Sequence, residues 1–342
     1  MSNMQHVALI QTKSIMIQNL CVPCYNHCRY CLLSWDGEEV GTKWERGIKL
    51  AERFLSDLRE KRPDANVSFS FGYSMEHPKL KEAIRTLGRL GSPMAEFLQC
   101  DGMQMRDESQ CRQLMQMLKE EGIKSLNFTA YGLRDYHDRF AGRQGDFELL
   151  FRMMSAAYDA GISFSTGIPI TKENIQEIDE LVDILNCAGN DRIMLFIPHE
   201  EGRGKTLNKA RLEQQDLLRL SPETFSILNR SIYKTEAEWL NSSETVQMTN
   251  RAIIISLRAD NIDDYEKRDA LSVVEEIERL DEEYYSAFPT FEELAKKYGN
   301  YEGNALYRIR DLYHHYRLLF AEEHKLKLYD VTDERLSGSR RY

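Results

Sequence analysis

The sequence predicts an α/β fold of repeated strand–helix units followed by a mostly helical extension. Three observations carry that expectation. Short β-rich apolar runs alternate with segments whose apolar residues recur at helical spacing. Several of those runs are nearly uninterrupted in apolar character, as Ile193–Ile197 is, which suits parallel strands covered on both faces. Beyond about residue 220 the alternation gives way to helical periodicity.

Strands are expected over 7–18, 67–72, 95–100, 124–130, 162–169 and 192–198. Between them, Trp44, Ile48, Ala51, Leu55 and Leu58 fall on one helix face. Phe147, Leu150, Phe151 and Met154 mark a second face, and Ile175, Ile178, Leu181, Val182 and Leu185 a third. Six such units satisfy either a doubly wound sheet or a full or partial βα barrel. In both architectures the ligand-binding loops follow the carboxyl ends of the strands. The expected division is 1–220 for this unit and 221–342 for the extension. There Ser221–Pro222 reads as a helix N-cap with proline at the first helical position. Arg251–Leu257 reads as one more strand. Leu271, Val274, Ile277, Leu280 and Tyr284 mark a helix, and Leu306, Ile309, Leu312, Tyr316 and Leu319 mark another. The final RLSGSRRY has the composition of a frayed tail.

A chain of 342 residues is long enough for one large domain or two smaller ones. Its 45 Lys and Arg against 55 Asp and Glu give a formal charge of −10. That balance lacks the basic footprint of phosphate-backbone binding, so nucleic acid is not the expected partner. No run approaches the ~18 apolar residues of a membrane helix. The first twenty residues lack a basic leader and a small-residue cleavage site, which predicts a mature cytoplasmic protein. In that reducing compartment the seven cysteines are not expected to form a disulfide framework.

Four of the seven lie in Cys21-Val-Pro-Cys24-Tyr-Asn-His-Cys28-Arg-Tyr-Cys31, just after the first strand. Chance placement would give the C-x3-C-x2-C spacing of Cys24, Cys28 and Cys31 about 0.003 times in such a chain. A zinc site usually joins two C-x2-C knuckles a dozen or more residues apart, whereas here one short loop would have to wrap the metal alone. A ferredoxin-type cluster uses C-x2-C-x2-C and a distant fourth cysteine, a different spacing. The third reading is an iron–sulfur cluster held by three thiolates with one iron left open. A vacant position can bind a substrate or cofactor, by the logic that separates catalytic from structural metal sites.

On these residues the sequence resembles the radical S-adenosylmethionine (radical SAM) superfamily, whose motif is C-x3-C-x-aromatic-C after the first strand of a partial βα barrel. Cys24, Cys28, Tyr30 and Cys31 match it position by position, Cys21 lies outside it, and the resemblance spans roughly residues 10 to 205. It implies a partial (βα)6 TIM-like barrel with a mostly helical C-terminal extension. It implies that Cys24, Cys28 and Cys31 hold a [4Fe-4S] cluster whose open iron chelates S-adenosylmethionine. One electron would then give methionine and a 5′-deoxyadenosyl radical that takes a hydrogen atom from a substrate. The electron would come from a one-electron reductant such as flavodoxin or ferredoxin.

The resemblance also nominates cofactor contacts. Phe71-Gly-Tyr-Ser-Met-Glu-His-Pro78 stands where the family has a Gly-Gly-Glu-Pro loop, which points to Gly72, Tyr73, Ser74 and Glu76. Tyr30 belongs to the motif itself. Gln99 and Asp101 follow the third strand, Asn127 and Thr129 the fourth, Ser165 and Thr166 lie on the fifth, and Ile197 ends the sixth. Glu201-Gly-Arg-Gly204 resembles a loop of peptide-modifying and molybdopterin-type members. No cysteine follows Cys187, so a cysteine-rich auxiliary-cluster domain is not expected. The substrate suggested is a peptide or other small natural-product precursor. The alternatives are a nucleotide or cofactor precursor and, from another class, a non-catalytic iron–sulfur or zinc protein whose helical tail binds a partner. Oligomeric state is left open.

Other features take plainer readings. Cys100, Cys111 and Cys187 are expected as small buried hydrophobes. Gly204-Lys205-Thr206 fails as a phosphate-binding loop because His199 stands where its first glycine belongs. His137–Asp138 is expected at a solvated helix start or in a loop contact. His314–His315 is expected on a partner surface or exposed, and the acidic run Asp263–Glu283 on a solvated helix face.

Overall fold

The alternation of strands and helices appears in the chain order of a computed structural model, which describes residues 12–21, 24–31, 43–72, 75–200, 202–242, 251–326 and 339–341. In the first part come β1 (Thr12–Cys21), α1 (Trp44–Lys61), β2 (Asn66–Gly72), α2 (Leu80–Arg89), β3 (Phe97–Gln99) and α3 (Glu108–Glu120). Then follow β4 (Ser125–Thr129), α4 (Arg134–Ala141), α5 (Asp146–Ala160), β5 (Ser163–Pro169), α6 (Ile178–Cys187) and β6 (Arg192–Phe196). The second part holds α7 (Pro222–Ile227), β7 (Lys234–Thr235), α8 (Glu236–Leu240), β8 (Arg251–Leu257), α9 (Ile262–Tyr265) and α10 (Ala270–Ser286). It ends with α11 (Phe291–Tyr298), β9 (Leu306–Tyr307), α12 (Ile309–His324) and β10 (Ser339–Arg341). The fold is α/β with parallel sheets, and no helix among the described residues is long and apolar enough to cross a membrane.

The six expected strands form two sheets. β3, β4, β5 and β6 pair in parallel in that order. The other sheet runs β10-β8-β1-β2, with β1 parallel to both β2 and β8. Among the described residues no ladder joins β2 to β3, so no closed barrel forms. β3 is only three residues long, shorter than the 95–100 run suggests. Across this gap the Glu76 carboxylate, which follows β2, pairs with Arg106 and accepts from the Gln104 amide N–H (3.1 Å) and Nε2 (2.8 Å), beyond β3. Ser92 Oγ also donates to the Phe69 carbonyl of β2 at 2.6 Å.

β8 lies in the segment read from the sequence as the extension, yet its Ile253, Ile255 and Leu257 share the main core with Ile15 and Ile17 of β1. The rest of that segment is mostly helical, and Trp239, Leu294, Tyr307, Leu312 and Tyr316 form a second, smaller core within it. The sheet therefore does not divide at residue 220.

The helix stripes largely match the expected ones. Trp44, Ile48, Ala51, Leu55 and Leu58 are all buried. On α5 the buried stripe is rotated: Leu149, Leu150, Met153 and Met154 are inside while Phe147 and Phe151 are half-buried. On α10 Val273, Val274 and Ile277 are buried, and Leu280 is exposed. His314 is buried, not exposed, and His315 pairs with Glu200 at 3.0 Å. The acidic run does form a solvated face, with Asp263 and Glu266 paired to Arg46 of α1.

Strand alternation decides which residues reach the barrel interior. Asn19 of β1 lies against Gly47 of α1, so its face, shared with Ile15 and Ile17, looks toward the helices. Gln18 belongs to the opposite, inner face and is in register with Ser70 of β2 and Ser256 of β8. In the second sheet Gln99, Asn127 and Ser165 form the corresponding inner row.

Candidate functional site

The segment 24–31 leaves β1 and crosses the carboxyl ends of the second sheet's strands. Its backbone is tied at several points. The Tyr25 N–H donates to the Gly102 carbonyl at 2.8 Å, beyond β3. The His27 and Arg29 N–H groups donate to Ala141 and Phe140 carbonyls at 2.7 and 3.1 Å, so the loop satisfies carbonyls that the end of α4 leaves without helical partners. The Arg203 N–H donates to the Cys31 carbonyl at 3.0 Å, which fixes the far end.

Two glycines permit this approach. Gly102 has φ +62°, and a Cβ there would overlap Cys24 Sγ. Gly142 ends α4 at φ +70°, in the left-handed conformation that favours glycine, with the loop's His27 3.0 Å from where a Cβ would stand.

Cys24, Cys28 and Cys31 are partly exposed free thiols. Burial pushes the Cys24 thiol up, with smaller contributions from Asp101 and Cys31. Burial also pushes Cys28 up, against the lowering effect of its hydrogen bond with Tyr131 and reinforced by Cys24, Asp101 and Cys31. The three sulfurs thus repel one another as thiolates, and a bound cation relieves both costs while displacing their protons. Among the described residues no three His, Cys, Asp or Glu side chains gather closely enough to share one metal ion. An iron–sulfur cube asks instead that each thiolate meet its own iron. Three thiols on one clamped loop, beside a glycine that leaves room for the first of them, fit that group. Cys21 lies at the end of β1.

Beneath the loop, Asp101 accepts from the Thr129 N–H (3.0 Å), the Thr129 hydroxyl (2.9 Å) and Gln99 Nε2. Burial raises its carboxyl, offset in part by those donors. Asn127 Nδ2 donates to Ser165 Oγ at 2.8 Å. Tyr30 packs within 6.0 Å of Tyr131, Phe140 and Phe196, and its hydroxyl meets Thr129 and Tyr131. The structure therefore brings Tyr30, Gln99, Asp101, Asn127, Thr129 and Ser165 together on one inner surface with the thiols.

It does not bring Thr166, Ile197 or Glu76 there. Thr166 stands on the helix-facing side of β5, where its hydroxyl donates to Asn190 Oδ1 at 2.9 Å, because adjacent strand residues point to opposite faces. Ile197 continues the helix-facing parity of β6 and is buried, and its N–H donates to the Tyr233 hydroxyl at 3.2 Å. Glu76 is engaged by Arg106 and Gln104, as described above. Gly72 ends β2 opposite Cys21, while Tyr73, Ser74 and Glu201 lie outside the described residues. Cys100 and Cys111 are buried as expected, but Cys187 is exposed at the end of α6.

Sequence reasoning missed the support behind the loop. His137 is 1% exposed rather than solvated. Its Nδ1 accepts from the Tyr131 N–H at 3.2 Å and its Nε2 faces Asp146 Oδ2 at 3.2 Å. Asp146 also accepts from Arg143 and from Asn26 Nδ2 (3.0 Å), a residue of the cysteine loop. Burial alone would raise Asp146, yet His137 and Arg143 hold it below the usual carboxylate range. These groups line a polar cavity of about 20 Å³, room for about one water, and two of the lining residues carry a buried atom without a protein partner, Asn26 Oδ1 and Arg143 Nε. The neighbouring Asp138 accepts the Gly145 and Phe147 N–H groups at 2.6 and 2.9 Å and so caps α5. Asn26 inside the C-x3-C spacer was the available signal, being a polar residue in a loop that must be held from behind.

The Radical SAM superfamily model matches residues 19–185. That match assigns residues 19–185 to the radical SAM superfamily. Members use a [4Fe-4S] cluster and S-adenosylmethionine, and the chain is accordingly an enzyme. The Fe-coproporphyrin III synthase of Methanosarcina barkeri is 27% identical over 96 residues, 28% of this chain, so the match spans 24% of that curated relative's length. Among solved structures, His6-tagged anSMEcpe with bound AdoMet is similar at TM-score 0.48 and 16% identity, covering 91% of this chain and 93% of that one. Escherichia coli HemN, a radical SAM coproporphyrinogen III oxidase, gives TM-score 0.43 at 14% identity, covering 67% and 56%. Streptococcus suis SuiB bound to precursor peptide SuiA gives 0.44 at 16%, covering 61% and 44%. The chain thus spans less than half the length of SuiB.

Proposed function

We propose that Cys24, Cys28 and Cys31 hold a [4Fe-4S] cluster with one iron open to S-adenosylmethionine, in a cytoplasmic enzyme that makes a radical on its substrate. The observation that carries this reading is the clamped loop that bears all three thiols at the carboxyl ends of the strands. When bound, the cluster and S-adenosylmethionine supply a one-electron cleavage to methionine and a 5′-deoxyadenosyl radical, which removes hydrogen from the substrate. The chain's own residues bind and orient. Asp101, held by Thr129 and Gln99, offers acceptors to sugar hydroxyls. Asn127 and Ser165 offer an amide and a hydroxyl one strand away. Tyr30 contributes an apolar wall that keeps water from the reacting atoms.

The substrate in this reading is a peptide or another small natural-product precursor. It is supported by the loop before Gly204, which the Arg203 amide holds against Cys31, at the edge of the site. A cofactor precursor is the second reading, favoured by the match to the Methanosarcina protein. A flavodoxin or ferredoxin would supply the electron.

Anaerobic reconstitution tests the proposal. The expected result is a brown protein with about four irons per chain that, with dithionite, converts S-adenosylmethionine to 5′-deoxyadenosine. Protein that takes zinc and no iron would overturn it.

A further inference from the structure

The Cys28 sulfur has a partner that the motif does not predict. Tyr131 follows β4, and its hydroxyl stands 3.0 Å from Cys28 Sγ. Its ring stacks on Phe140 with centroids 4.8 Å apart, and His137 lies at the same distance. The backbone is held on both sides: the Tyr131 N–H donates to His137, and its carbonyl accepts from Asn174 Nδ2 at 2.7 Å. Asn174 is fully buried and also donates to the Pro169 carbonyl at 2.9 Å, which ties Tyr131 to the end of β5. The phenol is thus fixed in place with its hydroxyl on the sulfur.

The direction of that bond follows from chemistry, given the reading that Cys28 binds iron. An iron-bound cysteine sulfur carries no proton and only accepts, so the phenol is the donor. The Tyr30 hydroxyl is also near, but a charged sulfur is the stronger acceptor. Cys24 differs: its near partner is the Asn26 backbone, with the carbonyl at 3.9 Å, and not a side-chain hydroxyl.

We infer that Tyr131 is a positioning residue that donates a hydrogen bond to the cluster-bound Cys28 sulfur and so raises the cluster's reduction potential. Charge on the cluster increases when it is reduced, and a donor aimed at one of its sulfurs is worth more in that state. The contribution expected is tenfold in the reduction equilibrium, about 59 mV for one electron.

The test is a redox titration of reconstituted protein followed by electron paramagnetic resonance, without S-adenosylmethionine, after counting iron. Tyr131→Phe should keep its iron and show a midpoint more negative by that amount; an unmoved midpoint overturns the inference. If Tyr131→Phe does not hold iron, wild-type chain grown with a fluorinated tyrosine carries the test. The more acidic phenol should raise the midpoint, and an unchanged value again overturns the inference. Wild-type protein that assembles no cluster fails at the earlier step: it removes the reading of the cysteine loop, and this inference with it.

Discussion

The two half-sheets present similar polar rows to the barrel interior but use them differently. In β2, β1 and β8 the row is Ser70, Gln18 and Ser256, all buried, with Ser256 Oγ 3.4 Å from Gln18 Oε1. In β3, β4 and β5 it is Gln99, Asn127 and Ser165, all half-buried and adjoining Asp101 beneath the thiols. The first row is closed into the packing. The second remains open enough for a ligand to compete for its hydrogen bonds. A polar residue on an inner strand face is therefore not itself a sign of binding; its exposure beside the cysteine loop is.

The comparison breaks most sharply at the thiols, since without them neither row has a reaction to serve. Alanine at Cys24, Cys28 or Cys31 should take iron content from about four per chain to near zero and abolish 5′-deoxyadenosine formation. Alanine at Cys21 should spare both. Equal iron loss at Cys21 would reassign the ligands.

Next in size is Gly102→Ala, a variant of backbone space rather than of ligand chemistry. Its Cβ would overlap Cys24 Sγ, and φ +62° strains any residue with a Cβ. Since the fold around β3 is otherwise untouched, iron per chain should fall several-fold while the far-ultraviolet dichroism is unchanged. Full iron loading would mean that the loop can move away, contrary to its ties to Gly102, Ala141 and Phe140.

The two rows can be separated directly. Asn127→Ala and Ser165→Ala should each weaken S-adenosylmethionine binding by about tenfold, roughly 1.4 kcal/mol, the size of one lost hydrogen bond. Ser256→Ala, on the closed row, should leave that affinity within about twofold while costing about 1 kcal/mol of stability. Isothermal titration with the reconstituted protein measures the first and denaturant unfolding the second. Equal loss of affinity from both rows would put the ligand across the barrel axis.

How far these features were legible in the sequence follows the same division. The cysteine spacing and the helix stripes of α1 and α6 could be read because they are local and periodic. Gln99, Asp101, Asn127, Thr129 and Ser165 were found because they follow strands whose apolar runs were clear. Thr166 and Ile197 went astray because placing a strand does not settle which parity faces inward. Gln18, Ser70 and Ser256 were missed because their row forms only when β8, distant in sequence, pairs with β1. Tyr131, His137 and Asp146 act on the loop through contacts more than a hundred residues from Cys28 or Asn26 in the case of Tyr131 and Asp146, and no spacing rule reports those.

The last expected effect concerns acid. His77, after β2, packs its ring 4.6 Å from that of Trp44, and burial pushes its pKa down from 6.5 to about 4, against a small opposing pull from Glu82. Unfolded chain binds that proton first, so stability from the neutral ring is full above about pH 6.5 and is lost as pH falls toward 4. Asp146, behind the cysteine loop, has a folded value depressed below 3.8 by His137 and Arg143. Its contribution is present above that pH and lost only as pH drops through the depressed value. The side of the molecule built on β1 and β2 should thus weaken first on acidification and the network around the thiols later. Melting temperature should decline between pH 6.5 and 4 in the wild type, and the slope should flatten in His77→Phe, which keeps an aromatic ring against Trp44 but cannot titrate. A slope unchanged by that variant would shift the early acid sensitivity to another group, His314 of α12 and His199 also being held down by burial, His314 to about 3.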